Sequence, residues 1–189
     1  MLVRHGETVW SRSGQHTGVT DIELTPAGEE AARSLATPLQ SYRFALVLSS
    51  PRQRARRTAE LAGLCAEIDD DLAEWDYGAY EGLTTAQVRE QLGYDWTVFE
   101  HGVAAGDTPG ESVEEVAARA SRVVRRATEA LASGDVALVA HGHLLRVLTA
   151  VFLQKEPRFG AQLLLDAGAV SVLEFERELP AIRMWNRPA

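Results

Sequence analysis

Apolar runs of strand length alternate with segments of helical periodicity along most of the chain. Residues 44–48 and 136–140 are apolar at every position. In a strand with one face in water, apolar and polar residues would alternate. Continuous apolar strands of this kind lie inside parallel sheets that carry helices on both faces. The alternation therefore predicts an α/β sandwich with a mostly parallel central sheet.

Helix signals fall between the predicted strands. Thr25 precedes Pro26, a pair that caps a helix and occupies its first turn. Ser112, followed three positions later by Glu115, forms a capping box at the start of a long amphipathic helix. Residues 144–153 are apolar nearly all round, which predicts a buried helix. Each helix lies between two predicted strands, as the sandwich requires.

Length and composition limit the fold and its partners. A chain of 189 residues suits one domain, so we expect residues 1–189 to form a single domain with a loop and short-helix excursion at about 83–111. The net charge of −8 argues against a nucleic-acid partner. No apolar run approaches the ~20 residues that span a bilayer, so we expect no membrane partner.

The lone cysteine and the first strand lead to two further expectations. Cys65 cannot form an internal disulfide and fits a reducing compartment, so we expect a cytoplasmic protein in which Cys65 is a small buried residue. The apolar run at residues 1–3 is short for a strand. We therefore expect the chain as given to be trimmed at its N-terminus.

Four polar clusters fall where a predicted strand or loop meets a helix, which is where parallel α/β sheets bind their ligands. They are Arg4-His5-Gly6-Glu7-Thr8, Ser49-Ser50-Pro51 with Arg54, Glu74 with Tyr77-Gly78, and His141-Gly142-His143. In two clusters a histidine follows an apolar strand and precedes a glycine, which permits a sharp turn and the close approach of a ligand. One such histidine is commonly structural, but two at the ends of separate strands indicate a functional site.

These residue types can together transfer a phosphoryl group. A neutral imidazole is a nucleophile toward phosphorus, and a guanidinium binds two phosphate oxygens at once without losing its charge. The same cations disfavour protonation of a neighbouring histidine. The leaving oxygen needs a proton, which a partly buried carboxylic acid can supply. Glu74, beside Trp75 and Tyr77, suits that role.

Taken together and in this order, the motifs resemble those of the histidine phosphatase superfamily. They are Arg4-His5-Gly6-Glu7-Thr8, Ser49-Ser50-Pro51-Arg52-Gln53-Arg54-Ala55 with Thr58-Ala59, Glu74-Trp75-Asp76-Tyr77-Gly78 with Glu81-Gly82, Pro109-Gly110-Glu111-Ser112, and His141-Gly142. The resemblance implies a three-layer α/β/α sandwich and a phosphatase that uses neither a metal nor another cofactor. It assigns the nucleophile to His5 and the general acid to Glu74. The transferring phosphoryl group would be bound by Arg4, Arg54 and His141.

A narrower resemblance concerns the substrate. Residues 10–18, 74–82, 141–146 and 164–168 are similar to fungal sedoheptulose bisphosphatase and to mycobacterial acid phosphatases, which implies a small phosphorylated metabolite, either a sugar phosphate or a bisphosphate. The substrate would contact Ser11, Thr17, Gly18, Tyr77 and Gly142, with Thr17 and Gly18 approaching the phosphate through backbone and hydroxyl. Ser11 stands where the mutases of the superfamily usually carry asparagine, so the contact there would be weaker or placed differently.

Several other polar residues have both a functional and a structural interpretation. Glu81 competes with Glu74 for the acid role, although a Glu-Gly pair can simply shape a turn. Glu111 either serves the dipole of the following helix or braces an active-site arginine. Arg146 is either a structural ion-pair partner or a substrate contact.

Surface positions are the simpler explanation for the remaining charged residues. Arg12 and His16 could meet the distal part of a substrate, but exposure is the commoner situation for loop residues. We expect His101 at the surface as well. Of the four arginines at positions 52, 54, 56 and 57, we expect only Arg54 to point into a site.

Three function classes follow from these residues. A phosphatase for small phosphorylated substrates is the leading hypothesis, and a homodimer is a candidate assembly. A cofactor-dependent phosphoglycerate mutase is second, since it must exclude water and the excursion between Gly82 and Gly110 is modest. A metal-binding hydrolase using His5, His141 and His143 is third, because no dense set of Asp, Glu and His surrounds the His-Gly-His pattern. A non-catalytic phosphate-binding module ranks lower still, because every group that the chemistry needs is present.

We predict that turnover survives incubation with EDTA. Arginine and histidine side chains, rather than a metal, would neutralise the phosphate. The measurement is phosphate release before and after chelation and gel filtration. Loss of activity that zinc or magnesium restores would contradict the phosphatase hypothesis and favour the metal-binding hydrolase.

Overall fold

The computed structural model describes residues 1–188, and its centre is one six-stranded sheet. The strands are β1 (Leu2–Arg4), β2 (Phe44–Ser49), β3 (Glu67–Ile68), β4 (Asp135–Ala140), β5 (Val170–Glu176) and β6 (Leu179–Arg187). Their order across the sheet is β3-β2-β4-β1-β5-β6. The first four neighbours in this order pair in parallel, while β5 and β6 form an antiparallel hairpin at one edge. The predicted mostly parallel sheet is confirmed.

Helices connect the strands and cover both faces of the sheet. They are α1 (Val9–Ser13), α2 (Pro26–Ser34), α3 (Ala36–Leu39), α4 (Gln53–Leu61), α5 (Thr85–Leu92), α6 (Val98–His101), α7 (Val113–Ala130) and α8 (Gly142–Phe152), with 3-10 turns at Asp70–Leu72, Gly78–Tyr80 and Pro157–Gln162. The hydroxyl of Thr25 caps α2, and Ser112 and Glu115 form the predicted capping box of α7. None of the helices in residues 1–188 is both long and apolar enough to cross a bilayer.

Two apolar clusters on opposite faces of the sheet make the three layers. Successive residues of a strand point to opposite faces, so Val3 and its neighbour Val139 pack with Leu35 on the side of α2, α3 and α4. Leu2 and Leu138 face the other way, against the apolar side of α7 and α8. The three-layer α/β/α sandwich is therefore confirmed.

The register of the parallel strands brings the polar clusters to one edge of the sheet. Arg4 of β1 pairs with Ala140 of β4, and Ser49 of β2 pairs with Val139. The residues that follow these strands, His5, Ser50 and His141, therefore leave the sheet side by side at its carboxyl edge. This is where ligands bind in open α/β sheets.

The excursion at 83–111 folds onto the cluster that contains α7 and α8. It carries α5 and α6, and its Trp96 and Phe99 are fully buried in that cluster.

The expectation for Cys65 is wrong: this residue lies in the short loop between α4 and β3 and is exposed. A lone cysteine has no neighbouring partner in sequence to indicate its burial, and here the loop leaves the core before reaching it.

Candidate active site

His5 follows β1 directly and lines a polar cleft. It is 5% exposed, and its Nδ1 lies 2.8 Å from the carbonyl oxygen of Gly6. A carbonyl oxygen only accepts hydrogen bonds, so Nδ1 carries the proton and Nε2 keeps its lone pair. Burial holds the pKa of His5 well below its usual range, and the guanidinium groups of Arg54 and Arg4 lower it further. His5 is thus an uncharged imidazole.

Close packing of two glycines fixes the loop that carries His5. A side-chain carbon on Gly6 would collide with the backbone of Gly28 in α2, and one on Gly28 would collide with the backbone of Glu7. The N–H of Gly6 also donates to Oγ1 of Thr58 in α4, at 3.0 Å. The glycine after the first histidine therefore permits a close approach of backbone to backbone, which holds the imidazole in place.

Arg4 enters the same cleft from the last position of β1. Its Nη1 donates to the carbonyl of Leu165, whereas its Nε is buried without a hydrogen-bond partner among residues 1–188. The guanidinium lies beside Gly142, where an added Cβ would come within 3.2 Å of its Cζ. Burial lowers the pKa of Arg4, and the carboxylate of Glu74 counters that effect. Because a buried donor without an acceptor is costly, Arg4 is well placed to bind an anion.

His141 stands next to His5 at the start of α8. The two ring centroids are 5.1 Å apart, and His141 has no exposed surface. Its Nδ1 accepts a hydrogen bond from Nε of Arg54 at 3.2 Å, so the proton is on Nε2, which lies 2.7 Å from Oγ of Ser50. Burial is the main reason that the pKa of His141 is well below its usual range, and Arg54 is the next.

Arg54 lies beneath the cleft rather than in its wall. Its side chain is fully buried, and besides His141 it donates to three carbonyls of the loop at residues 17–20, those of Thr17, Gly18 and Thr20. All three nitrogens of the guanidinium therefore have partners within the protein. Arg54 acts on the site through its charge in this structure, and its direct contact with a phosphate stays a prediction.

The prediction that Gly18 approaches the phosphate does not fit its geometry. The N–H of Gly18 donates to both carboxylate oxygens of Glu81 at 3.0 Å, and the N–H of Thr20 donates to Oε1. The donor that a phosphate would need is already occupied by a carboxylate. Thr17 does line the cleft, with its hydroxyl 3.1 Å from the carbonyl of Gln15. Glu81 is thus a structural brace for this loop.

Glu74 is buried and reaches the cleft at the first turn of α8. Its Oε1 accepts from the N–H groups of Trp75 and Leu144, both at 2.9 Å, and its Oε2 accepts from the N–H of His143 at 3.0 Å. The N–H groups of His143 and Leu144 belong to the first turn of α8, so this helix orients the carboxyl group of Glu74 at the cleft. Of the two glutamates considered for the acid role, only Glu74 lines the cleft.

The cleft has a volume of about 210 Å³ and brings together most of the predicted site residues. Its lining residues are Arg4, His5, Ser11, Gly14, Gln15, His16, Thr17, Glu74, Tyr77, Thr85, Gly142, His143, Arg146 and Leu165. A larger cleft of about 710 Å³ lies near β3 and is lined by Glu23, Leu24, Glu29, Ser49, Gln53, Arg56, Arg57, Ala59, Glu60, Leu64, Ala66 and Ile68. The larger cleft contains no histidine, so the smaller one is the candidate active site.

Two predicted substrate contacts have other partners in this structure. The hydroxyl of Ser11 accepts from the N–H of Thr8 at 2.8 Å and belongs to the capping box of α1. The hydroxyl of Tyr77 lies 2.6 Å from Nδ1 of His143. Burial and the charge of Glu74 hold the pKa of Tyr77 well above its usual range, so the phenol is a hydrogen-bond donor and fixes the ring of His143.

Sequence reasoning missed the distal wall of the cleft. His16, expected at the surface, is 7% exposed, and its ring packs 4.7 Å from that of Tyr77. Its neighbours Trp96 and Thr85 come from the excursion, and this long-range packing leaves no signal near His16 in the sequence. Arg12 and His101 are exposed, as expected.

The ion-pair interpretation of Arg146 is wrong. Its Nε and Nη2 donate to the carbonyls of Gly160 and Ala161, and its guanidinium lies 4.7 Å from the ring centre of Phe99. No carboxylate forms an ion pair with it in the part of the chain that the structure describes. Together with Arg4, Arg146 therefore gives the cleft wall a positive charge.

The site also lacks a recognisable ligand set for a metal. Among residues 1–188 no three His, Cys, Asp or Glu side chains are grouped so that they could hold an ion. The three histidines considered as metal ligands, His5, His141 and His143, have hydrogen-bond partners in the backbone, Arg54, Ser50 and Tyr77.

Known proteins resemble this chain over its whole length. The family profile of the histidine phosphatase superfamily (branch 1) matches residues 1–188. An acid phosphatase of Mycobacterium tuberculosis is 40% identical over 100% of this chain and 93% of its own. The sedoheptulose 1,7-bisphosphatase of Saccharomyces cerevisiae is 34% identical over 80% of this chain and 66% of its own. A solved structure of the product of a Mycobacterium tuberculosis open reading frame has a TM-score of 0.93 at 38% identity, covering 99% and 96% of the two chains.

Mutases are also among the relatives. A 2,3-bisphosphoglycerate-dependent phosphoglycerate mutase of Cytophaga hutchinsonii is 31% identical over 95% of this chain and 88% of its own. The phosphatase and mutase branches therefore both resemble the chain.

We expect His16→Gln to weaken the acid sensitivity of folding. Burial lowers the pKa of His16 to about 4, against an ordinary value near 6.5 in the unfolded chain. Below about pH 6.5 the unfolded state binds a proton that the folded state does not, so the contribution of His16 to stability is present above that pH and is lost as pH falls toward 4. Between pH 7 and pH 5 the parent should lose about 2 kcal/mol more unfolding free energy than His16→Gln.

Urea denaturation at the two pH values measures this difference. The matched control is His101→Gln, which removes the exposed histidine of α6 and should keep the pH dependence of the parent. An unchanged pH dependence in His16→Gln would show that burial does not hold this imidazole neutral.

Proposed function

Because the chain belongs to the histidine phosphatase superfamily, we propose that it hydrolyses small sugar phosphates through a phosphohistidine formed on His5. The proposal rests on the protonation and hydrogen bonding of two side chains in the cleft, His5 and Arg4. An uncharged imidazole with its lone pair on Nε2 stands beside a guanidinium whose Nε is buried and without a partner among the described residues. A nucleophile and an oxyanion donor are thereby placed side by side before substrate arrives.

In the first half-reaction Nε2 of His5 attacks phosphorus. The bond between phosphorus and the sugar oxygen breaks, its electron pair goes to that oxygen, and the carboxyl group of Glu74 supplies the proton. Arg4 binds the equatorial oxygens, and His141 turns its Nε2–H from Ser50 toward one of them. The three N–H groups on Glu74 stabilise the carboxylate that remains, and Gly6 continues to orient the ring of His5.

In the second half-reaction water attacks the phosphohistidine from the side that the alcohol has left. The carboxylate of Glu74 accepts a proton from the water, so that the acid of the first step is the base of the second. The bond between Nε2 and phosphorus breaks, and its electron pair returns to the imidazole. Inorganic phosphate leaves, and both His5 and Glu74 are restored.

The distal wall of the cleft supports a sugar as the leaving group. His16, Gln15 and Thr85 are uncharged and can donate or accept hydrogen bonds, which suits the hydroxyl groups of a polyol. Arg146 adds a cation on the α8 side, where a second phosphate would be accepted. The yeast sedoheptulose 1,7-bisphosphatase among the relatives is consistent with a sugar bisphosphate as one substrate.

A phosphoglycerate mutase is the second candidate, favoured by the similarity to the mutase of Cytophaga hutchinsonii. The two activities differ in the fate of the phosphoryl group, which a phosphatase gives to water and a mutase returns to substrate. A panel of sugar phosphates, phosphoglycerates and p-nitrophenyl phosphate, with phosphate release and isomer formation both measured, separates them.

We predict that His5→Ala is folded but has no measurable turnover. Brief incubation of the parent with ³²P-labelled substrate should label the protein through a bond that is labile in acid and stable in base, as a phosphoramidate is. His101→Ala, which removes an exposed histidine, should label like the parent. An acid-stable label would instead indicate a serine or threonine nucleophile, and the absence of label would indicate direct attack by water.

We predict that Glu74→Gln slows the hydrolysis of sugar phosphates far more than the hydrolysis of p-nitrophenyl phosphate. The amide keeps the shape of the side chain but cannot protonate the leaving oxygen, and a sugar alkoxide needs that proton whereas nitrophenolate does not. Loss of a positioned general acid costs about 10²–10⁴-fold. The measurement is kcat/KM for both substrates.

Glu81→Gln is the control for this experiment. Glu81 binds the N–H groups of Gly18 and Thr20, so its replacement should affect both substrates to the same degree. The assignment of the acid is refuted if Glu74→Gln lowers kcat/KM equally for both substrates. It is also refuted if Glu81→Gln lowers kcat/KM more for the substrate with the poorer leaving group.

A further inference from the structure

An ion pair between the buried Arg119 and the partly buried Glu111 lies behind Glu74, outside the cleft. Nε of Arg119 lies 2.8 Å from Oε1 of Glu111, and Nη2 of Arg119 lies 2.9 Å from Oε2. Glu111 directly precedes the cap of α7, and Arg119 lies on the buried face of that helix, 8% exposed. The sequence left open whether Glu111 serves the helix dipole or braces an arginine. It does brace one, but Arg119 is not an arginine of the cleft.

The pair holds the backbone on both sides of Glu74. On the N-terminal side, Nη1 of Arg119 donates to the carbonyls of Asp71 and Ala73. On the C-terminal side, Oε2 of Glu111 accepts from the N–H of Asp76 at 3.0 Å. The backbone of Glu111 adds two bonds, because its N–H donates to the carbonyl of Asp76 and its carbonyl accepts from the indole of Trp75.

We propose that Glu111 and Arg119 are positioning residues for Glu74. The inference rests on the proposed function, in which Glu74 exchanges the proton of the leaving group. Glu74 lies in an irregular segment between two 3-10 turns, so no regular backbone ladder fixes its Cα. The ion pair supplies that constraint from behind, while the N–H groups of α8 orient the carboxyl group from the front.

Arg119 differs from two other arginines of α7 in its burial and its partners, which indicates a positioning role rather than a contribution to stability alone. Arg122 and Arg126 follow Arg119 at spacings that keep them near the same side of the helix, and they pair with Asp71 and with Glu67 and Asp69. The side chains of Arg122 and Arg126 are 52% and 42% exposed, and ion pairs of exposed arginines contribute little to stability. Only Arg119 is buried and bound to the carbonyl next to Glu74. An ion pair that buries a charged group is a poor source of net stability, but this pair fixes geometry through its many hydrogen bonds.

The experiment uses two aryl phosphates that differ in their leaving group. Phenyl phosphate needs a proton from the enzyme, whereas p-nitrophenyl phosphate needs little help. Glu111→Gln breaks the charge pairing while keeping the shape, and Arg119→Lys keeps the charge but loses the fork that reaches the glutamate and both carbonyls. We expect each variant to lower kcat for phenyl phosphate roughly tenfold more than for p-nitrophenyl phosphate, because a small displacement of a catalytic group is costly. KM should change little.

Three further variants serve as controls for this experiment. Arg126→Gln removes an exposed pair from the same helix and should leave the ratio of the two substrates unchanged. In the double variant Glu74→Gln/Glu111→Gln, the second change should add no further leaving-group dependence, because both act on one proton transfer. Glu74→Gln alone tests the proposed function: if it shows no leaving-group dependence, the role of Glu74 is wrong and the inference falls with it.

The inference fails by itself under a different outcome. Suppose that Glu74→Gln lowers kcat more for phenyl phosphate than for p-nitrophenyl phosphate. If Glu111→Gln and Arg119→Lys then lower kcat equally for both substrates, or raise KM alone, the ion pair is only structural. Circular dichroism checks that each variant is folded. Should Glu111→Gln not fold, Arg119→Lys, which keeps the positive charge, decides the question.

Discussion

A fully buried guanidinium organises the centre of this protein. Arg54 has no exposed surface, and its nearest carboxylate, that of Asp21, is 4.0 Å away. Burial of a charge without close pairing is expensive, and here the cost is offset by hydrogen bonds to His141 and to three carbonyls of one loop. The loop at 17–20 must curl around Arg54 to supply those carbonyls, and Glu81 satisfies the N–H groups that this curl turns outward.

The charge of Arg54 also determines the state of the imidazoles. It lowers the pKa of both His5 and His141, after burial itself, and its Nε decides which nitrogen of His141 carries the proton. The parallel strands β1, β2 and β4 bring these groups together at one edge. The charge of Arg54 thus acts on both imidazoles through the protein interior, where the low dielectric constant strengthens its field.

The sequence predicted the parts of the structure that follow from local pattern. The strands at 44–48 and 136–140, the caps at Thr25 and Ser112, and the convergence of polar clusters at strand ends are all properties of short segments read with a period or a motif. The site residues Arg4, His5 and Glu74 line one cleft because strand register and the first turn of α8 are strongly constrained. Residues 170–175 and 182–185 are strand-like runs in the sequence, but the antiparallel direction of β5 and β6 depends on the turn between them.

What the sequence did not show depends on contacts between distant segments. His16 is buried because the excursion folds back over it and places Trp96 and Thr85 against its ring. Gly18 was assigned to the phosphate from its motif, yet its N–H is used by Glu81, 63 residues away. Arg146 was left open between an ion pair and a substrate contact, and it donates to two carbonyls beyond the end of α8. In each case the residue type was informative, and its partner was set by tertiary packing.

The same packing links catalysis to stability in acid. A nucleophilic imidazole must be unprotonated, and burial with nearby guanidinium groups keeps His5 so by holding its pKa well below the usual range. Each imidazole buried in this way favours the folded state above the ordinary pKa of histidine and weakens it as pH falls below that value. His5, His16 and His141 are all buried. In the proposed mechanism, the burial that keeps the His5 nucleophile uncharged therefore also makes the fold itself sensitive to acid.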